Sequence, residues 1–214
     1  MIKTGSHKYN FQTDDVKRRF PLFYKVANYY RNKRFGLFQT LLNVKKDTPI
    51  LDVGGEFEFW ENMKFENIML LNIHKKNENK NIKSIVYDGG KFPFKDKKFE
   101  VVFSNSTIEH VGDFRDQKLF ASEIQRVGKL YFVQTPSFWF PYEPHAMIPF
   151  YQFLPSNIKM WLRTIYPKST YPIEKLLSIR LLTKKELKYL FPSATIITER
   201  MFLFPKSYYA VKNK

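Results

Sequence analysis

The stretch Pro49-Ile50-Leu51-Asp52-Val53-Gly54-Gly55-Glu56-Phe57-Glu58-Phe59 sets a short apolar run directly before a glycine pair and an amphipathic segment. Ile50, Leu51 and Val53 read as a buried strand, and the glycines as a tight turn into a helix. Gly54 and Gly55 have no Cβ, so a ligand can approach the main chain there, while the helix beyond offers N–H groups with no partner inside it. Taken alone, the stretch fits a plain strand-to-helix turn as well as a binding loop. The order of the elements around it decides between the two.

Downstream, apolar runs of strand length recur. Expected parallel strands cover 50–53, 68–73, 84–87, 99–104 and 130–134, with helices at Glu58–Met63 and Asp116–Arg126 between them. Strands that alternate with crossovers of this length form a mostly parallel sheet with right-handed connections. Ligands bind such sheets at the carboxyl ends of the strands. Polar or glycine residues stand at those ends: Gly54, Asn72, Asp88, Ser104 to Ser106, and Gln134 with Thr135.

The flanks depart from that plan. Residues Tyr9 to Asn43 are basic and aromatic, with helical stretches expected at Asp14–Arg31, interrupted near Pro21, and at Phe35–Leu42. From Ser137 to Pro172, prolines and aromatics mark an insertion over the carboxyl end of the fifth strand, where a cover for a substrate belongs. Thr183 and Glu186 form a capping box that opens a helix to about Phe191, and 194–199 with 207–212 read as a closing hairpin. One domain is expected, with a helical lid at 1–45, a core at 46–136, the inserted cover at 137–176 and a helix plus hairpin at 177–214.

Composition narrows the class. The 214 residues carry no cysteine, which excludes disulfides, thiolate metal sites and a cysteine nucleophile and fits a reducing compartment. No run of about 18 apolar residues suggests a membrane span, and the N-terminus lacks the apolar core of a signal peptide, so a cytoplasmic protein is expected. The 36 Lys and Arg against 20 Asp and Glu give a net charge of +16, which attracts polyanions such as nucleic acid or anionic lipid. The basic residues are scattered rather than gathered in a nucleic-acid-binding motif, so nucleic acid is the weaker reading.

The run Phe99-Glu100-Val101-Val102-Phe103-Ser104-Asn105-Ser106-Thr107-Ile108-Glu109-His110-Val111 resembles the fourth-strand region of small bacterial members of the class I S-adenosylmethionine-dependent methyltransferase superfamily, F-D-V-V-F-S-N-S-x-I-E-H-V. Leu51-Asp52-Val53-Gly54 is similar to the opening of that superfamily's first motif. Asp88 followed by Phe92-Pro93-Phe94 resembles its acidic residue and proline turn after the third strand. The resemblance implies a Rossmann-like α/β fold: a mostly parallel seven-stranded sheet, helices on both faces and an antiparallel last strand. It also implies S-adenosylmethionine as cofactor, bound by Asp52, Gly54, Gly55, Asn72, Asp88, Gly89, Ser104 and Asn105. Two departures stand out. Glu56 and Glu58 occupy positions that are glycine in the family's D-x-G-x-G-x-G, and Asn72 replaces the ribose-binding acid.

Methyl transfer from a sulfonium is an in-line displacement, so positioning alone supplies much of the catalysis. A hydroxyl acceptor also needs a base, and His110, Glu143 and His145, with Glu109, are the candidates. Glu109-His110 resembles the E-x-x-E-H of metal-dependent relatives, but Ser106 stands at the first acid's position, so no metal is expected. The acceptor is expected to be a small molecule, a lipid-linked intermediate or a glycan. An RNA methyltransferase and a binding protein without cofactor remain as alternatives, and the oligomeric state is open.

Overall fold

The computed structural model describes residues 21–165 and 173–214. The short apolar runs form β1 (Ile50–Val53), β2 (Ile68–Asn72), β3 (Ile82–Val86), β4 (Phe99–Asn105) and β5 (Gly128–Pro136), each pair of neighbours parallel. Two short strands, β6 (Tyr142–Glu143) and β7 (Ile148–Pro149), form a separate ladder in the insertion. The chain ends in β8 (Thr195–Met201) and β9 (Phe204–Lys212), a hairpin in which β9 runs antiparallel to β5. The large sheet has seven strands in the order β3-β2-β1-β4-β5-β9-β8.

Side chains alternate across a strand, so one residue in two faces each side. Ile50, Leu70, Val101, Phe103, Phe132 and Tyr209 point to one face, where they pack on α1 (Pro21–Leu42) and α2 (Phe57–Met63). Leu51, Val53, Leu71, Val102, Tyr131 and Val133 point to the other, against α3 (Phe114–Val127). Helices α4 (Ser156–Ile165) and α5 (Ile173–Ser178) belong to the insertion, and α6 (Lys184–Leu190) joins α3 on its face. The sheet is therefore buried on both sides, as its unbroken apolar strands require.

Two helix starts are fixed by local chemistry. At α3 the Asp113 carboxylate accepts from the Arg115 and Asp116 N–H groups at 2.6 and 3.1 Å. At α6 the expected capping box is present: Thr183 Oγ1 accepts from the Glu186 N–H at 3.2 Å, and Glu186 accepts from the Thr183 N–H at 2.8 Å. Each box satisfies donors that the helix leaves unpaired.

Several boundaries differ from expectation. The two N-terminal helices are one: α1 runs without a break through Asn32 and Lys33, because nothing between Arg31 and Phe35 interrupts a helix. Residues before 21 and residues 166–172, parts of the expected lid and cover, lie outside the described residues. The third strand starts at Ile82, because that side chain is buried and pairs with Ile68. The fifth extends over Gly128–Pro136, held on both edges by β4 and β9.

Candidate functional site

Asp52 shares the face of Ile50, under α2, and there the Trp60 Nε1–H donates to its Oδ2 at 2.6 Å. The carboxylate is 2% exposed and its Oδ1 has no hydrogen-bond partner. Burial pushes its pKa up to about 7, against the Trp60 bond and with help from the Glu56 charge. The glycine pair follows. Gly54 has φ +82, and a Cβ there would meet Thr107 Oγ1 at 2.3 Å; a Cβ on Gly55 would meet Asp52 Oδ2 at 1.7 Å. Thr107 and Ser104 each donate from a hydroxyl to the Val53 carbonyl, at 3.1 and 3.0 Å, so the end of β4 holds the turn in place. Asn72 Nδ2 ties it from the other side by donating to the Gly55 carbonyl at 2.9 Å.

Across from the turn stands Arg34 of α1, buried among polar strand ends. Its Nη1 donates to Asn105 Oδ1 at 2.6 Å and to Gln134 Oε1 at 2.9 Å, and its Nη2 lies 3.4 Å from Glu199 Oε2. Asn105, Gln134 and Glu199 come from three neighbouring parts of one sheet face, which is why a single guanidinium reaches them all. Arg31, Arg34, Asp52, Gly54, Gly55 and Glu56 border a cavity of about 40 Å³.

A second cluster lies on the opposite face. Thr135 alternates with Gln134 and so points to the α3 side, where its hydroxyl donates to Glu109 Oε2 at 3.0 Å. Glu109 is wholly buried and its Oε1 has no partner. Burial lifts its pKa to about 7, opposed by the His145 charge and the Thr135 bond. From the insertion, His145 brings its ring to 4.9 Å from that of His110, edge to face. Glu143 Oε1 lies 2.6 Å from His145 Nδ1, and its other oxygen accepts the Ala146 N–H. Burial works against the charged form of His145, but the bond and charge of Glu143, backed by Glu109, raise its pKa. His110 has its pKa pushed down to about 4 by desolvation, by His145 and by Lys175. Glu109, His110 and His145 each offer a ligand atom, and these atoms lie within 4.8 Å of one another. Glu143 also lines a cavity of about 300 Å³ with Phe138, Tyr151, Lys159 and Arg180.

The strand order and the two clusters at its carboxyl ends can be set beside known proteins. Residues 62–130 match the model of a family described as a methyltransferase domain. No curated protein matches the chain. Among solved structures, a SAM-dependent methyltransferase from Anabaena variabilis superposes with a TM-score of 0.52 at 14% identity, covering 86% of this chain and 82% of the other. A protein from Pyrococcus horikoshii gives 0.50 at 19% identity over 93% and 98%. The YcgJ protein of Bacillus subtilis gives 0.51 at 14% over 78% and 70%. The chain shares its class I fold with these structures, and its residues 62–130 match the methyltransferase-domain model. It is an enzyme whose cofactor is S-adenosylmethionine.

The residues of the methyltransferase fit that cofactor at the glycine turn. The main chain at Gly54 and Gly55 has no room for side chains, and a buried Asp52 oxygen with no hydrogen-bond partner lies beneath it. The two glutamates leave the turn intact. Glu56 has φ −110, which needs no glycine, and is paired with Lys76 at 2.8 Å; Glu58 is exposed on the first turn of α2.

The expected cofactor residues divide into three groups. Asp52, Gly54, Gly55 and Asn105 border the cavity. Asn72 and Ser104 hold the turn through the hydrogen bonds described above. Asp88 and Gly89 lie beyond β3, outside that lining; Asp88 is exposed and accepts the Gly90 N–H at 2.9 Å, and Gly89, at φ +90, has open space around it. His110, Glu143 and His145 come together as a group. His145 enters the cluster from 35 residues beyond His110, which spacing does not reveal. Arg34 was missed. Its signal was its phase, since Arg34, Phe38 and Leu42 share one buried stripe of α1.

Proposed function

We propose that the methyltransferase modifies a hydroxyl group on a small molecule, a lipid-linked intermediate or a glycan, with His145 as the base. The observation that carries this reading is the Glu143–His145 pair, 2.6 Å apart, at the edge of the 300 Å³ cavity. When bound, the cofactor supplies a methyl group on a positively charged sulfur. Asp52 and the open main chain at Gly54 and Gly55 hold its methionine end. Asn72, Asp88, Gly89, Ser104 and Asn105 belong to the same proposal: Asn72 and Ser104 shape the turn, Asn105 borders the cavity, and Asp88 with Gly89 would meet the adenine. The carboxylate of Glu143 fixes the His145 ring through Nδ1, so Nε2 carries the lone pair and would take the acceptor proton as the oxygen–carbon bond forms and the methyl carbon's bond to sulfur breaks, the sulfur leaving as a neutral thioether. His110, kept neutral, sets the position of that ring and of the acceptor. Incubation of the protein and methyl-labelled cofactor with separated lipid, glycan, small-metabolite and RNA extracts tests the reading. Label in one of the first three supports it, and label confined to RNA overturns it.

One distance favours a second reading. Three ligand atoms within 4.8 Å, with a carboxylate on the far nitrogen of one histidine, form the donor set of a divalent cation site. A cation there would bind the acceptor oxygen and lower its pKa, and His145 would serve as ligand rather than base. Chelation followed by re-addition of Mg²⁺ or Mn²⁺ separates the two, because turnover through the base alone survives chelation.

A further inference from the structure

The two most exposed large apolar side chains among the described residues are adjacent. Phe202 and Leu203 are 89% and 87% exposed, and they form the two-residue turn of the β8–β9 hairpin, with Phe204 half-exposed after them. That turn carries the wrong residues for its backbone. Phe202 has φ +55, a region where glycine or asparagine is the ordinary choice and a large side chain is strained. Among the described residues nothing covers either side chain, since neither the ring nor the isobutyl group is buried.

The position of the turn gives it a context. Because β9 is antiparallel to β5 and Pro136 pairs with Ser207, the tip projects past the carboxyl edge of the sheet, the edge that carries both clusters of the site. The insertion leaves β5 at the same edge, with the Ser137 N–H donating to the Lys206 carbonyl at 3.0 Å. Its outer surface is also apolar. Trp139 is 55% exposed and meets exposed Phe153 at a tilt of 34°, their centroids 6.0 Å apart. On α4, Ile158, Trp161 and Ile165 follow at helical spacing and all three are exposed.

We infer that this edge docks on a membrane surface bearing anionic headgroups. Two independent features select that occupant. The apolar groups are convex, a tip and a helix stripe with tryptophans, which suits shallow insertion at the headgroup boundary. The net charge of +16 is spread over the chain, so it attracts an anionic plane without fixing an orientation, and the apolar edge supplies the orientation. No helix among the described residues is long and apolar enough to cross a membrane, so the contact is peripheral. Docked this way, the mouth of the site lies at the bilayer. The docking itself does not depend on which acceptor is methylated.

Co-sedimentation of the full chain with vesicles of phosphatidylcholine, alone or mixed with phosphatidylglycerol, tests the inference. The wild type should partition onto the mixed vesicles, less onto the neutral ones, and less as salt rises. The double variant Phe202→Gly, Leu203→Ser places a preferred turn residue at the strained position, so its melting temperature should hold or rise. Its partitioning should fall roughly tenfold or more. Trp161→Ser should weaken binding by a smaller factor. No partitioning by the wild type, or equal partitioning by the double variant, overturns the inference. So does loss in the variant of RNA binding or of self-association in place of vesicle binding, since either assigns the edge to another partner. Fluorescence gives a second readout: Trp139 and Trp161 should shift to the blue on mixed vesicles while buried Trp60 does not.

Discussion

The two faces of the sheet solve opposite problems at the same edge. On the α1 side, the glycine turn and Asp52 lie under a cavity of only about 40 Å³, and Arg34 spans the gap to Asn105, Gln134 and Glu199. On the α3 side, Glu109, His110 and His145 cluster with Glu143, and Glu143 lines a cavity of about 300 Å³. Ligand sites usually enclose about 300–1,000 Å³. The α3 side, the proposed acceptor side, is therefore open as it stands, while on the α1 side, the proposed cofactor side, Arg34 borders the small cavity. Both faces also store a buried carboxylate, Asp52 and Glu109, each with one oxygen unpartnered.

The sharpest way to separate the faces is His145→Ala. If the acceptor side performs the proton transfer and the other side only binds cofactor, turnover should fall about 10²–10⁴-fold with cofactor affinity unchanged. Calorimetry and single-turnover assays measure the two quantities. Glu143→Gln should give a smaller loss, because the ring keeps a hydrogen-bond partner but loses the charge that favours its protonated form. Equal losses of affinity and turnover would show that the insertion supports the cofactor site as well, and the division would fail.

Asp52 gives the next largest effect. Its folded pKa of about 7 is above the ordinary 3.8, so the folded state holds a proton that the unfolded state releases. The stability from that group is complete below about pH 4 and is lost as pH rises through 7. The full span is worth about 4 kcal/mol at most. Asp52→Asn removes this dependence, and its unpaired amide adds a cost that does not vary with pH. The difference in melting temperature between variant and wild type should thus move in the variant's favour from pH 4 to pH 8. Parallel curves would mean that Asp52 ionises in the folded state as it does in the unfolded one.

Arg34 tests whether the closed side is held by one residue. Arg34→Met leaves Glu199 buried with Lys206 and Tyr209 as its remaining partners, which should cost about 3 kcal/mol of stability in denaturant. Glu199 has its pKa lowered, against burial, by the charges of Arg34 and Lys206 and by the Tyr209 bond. Its contribution is present above the ordinary carboxylate pKa and is lost as pH falls through the folded value. The variant should accordingly be less sensitive to acid than the wild type. An unchanged acid transition would remove Arg34 from the network.

The core of the sheet was legible because each parallel strand is an apolar run that ends in a polar or glycine residue, and Ile50–Val53 was placed to the residue. The hairpin and the Thr183 box were legible for equally local reasons. Neither the continuity of α1 nor the role of Arg34 was, since a buried arginine violates the pattern used to find buried faces. His110, Glu143 and His145 were each visible as chemistry, but their meeting depends on the path of the insertion, and no local rule fixes that path. Ser104 shows what strand position alone leaves out. Its position at a strand end suggested contact with a ligand, while alternation turns its hydroxyl inward to the Val53 carbonyl.

Asp88 offers the smallest and most discriminating test of how far the cofactor side extends. The resemblance places Asp88 at the adenine, yet its side chain is exposed and already accepts the Gly90 N–H, so the turn after β3 is organised by the same oxygen that would serve a ligand. An exposed carboxylate gains less from a hydrogen bond than a buried one, because water competes for both partners. Asp88→Ala should therefore weaken cofactor binding by about 1 kcal/mol, roughly fivefold in Kd, with little change in stability. Asp88→Asn, which still accepts from Gly90, should lose less. If both variants bind as the wild type does, the adenine does not reach β3 and the cofactor side is confined to β1, β2 and β4. If both lose affinity equally, charge rather than hydrogen bonding is what the adenine end reads.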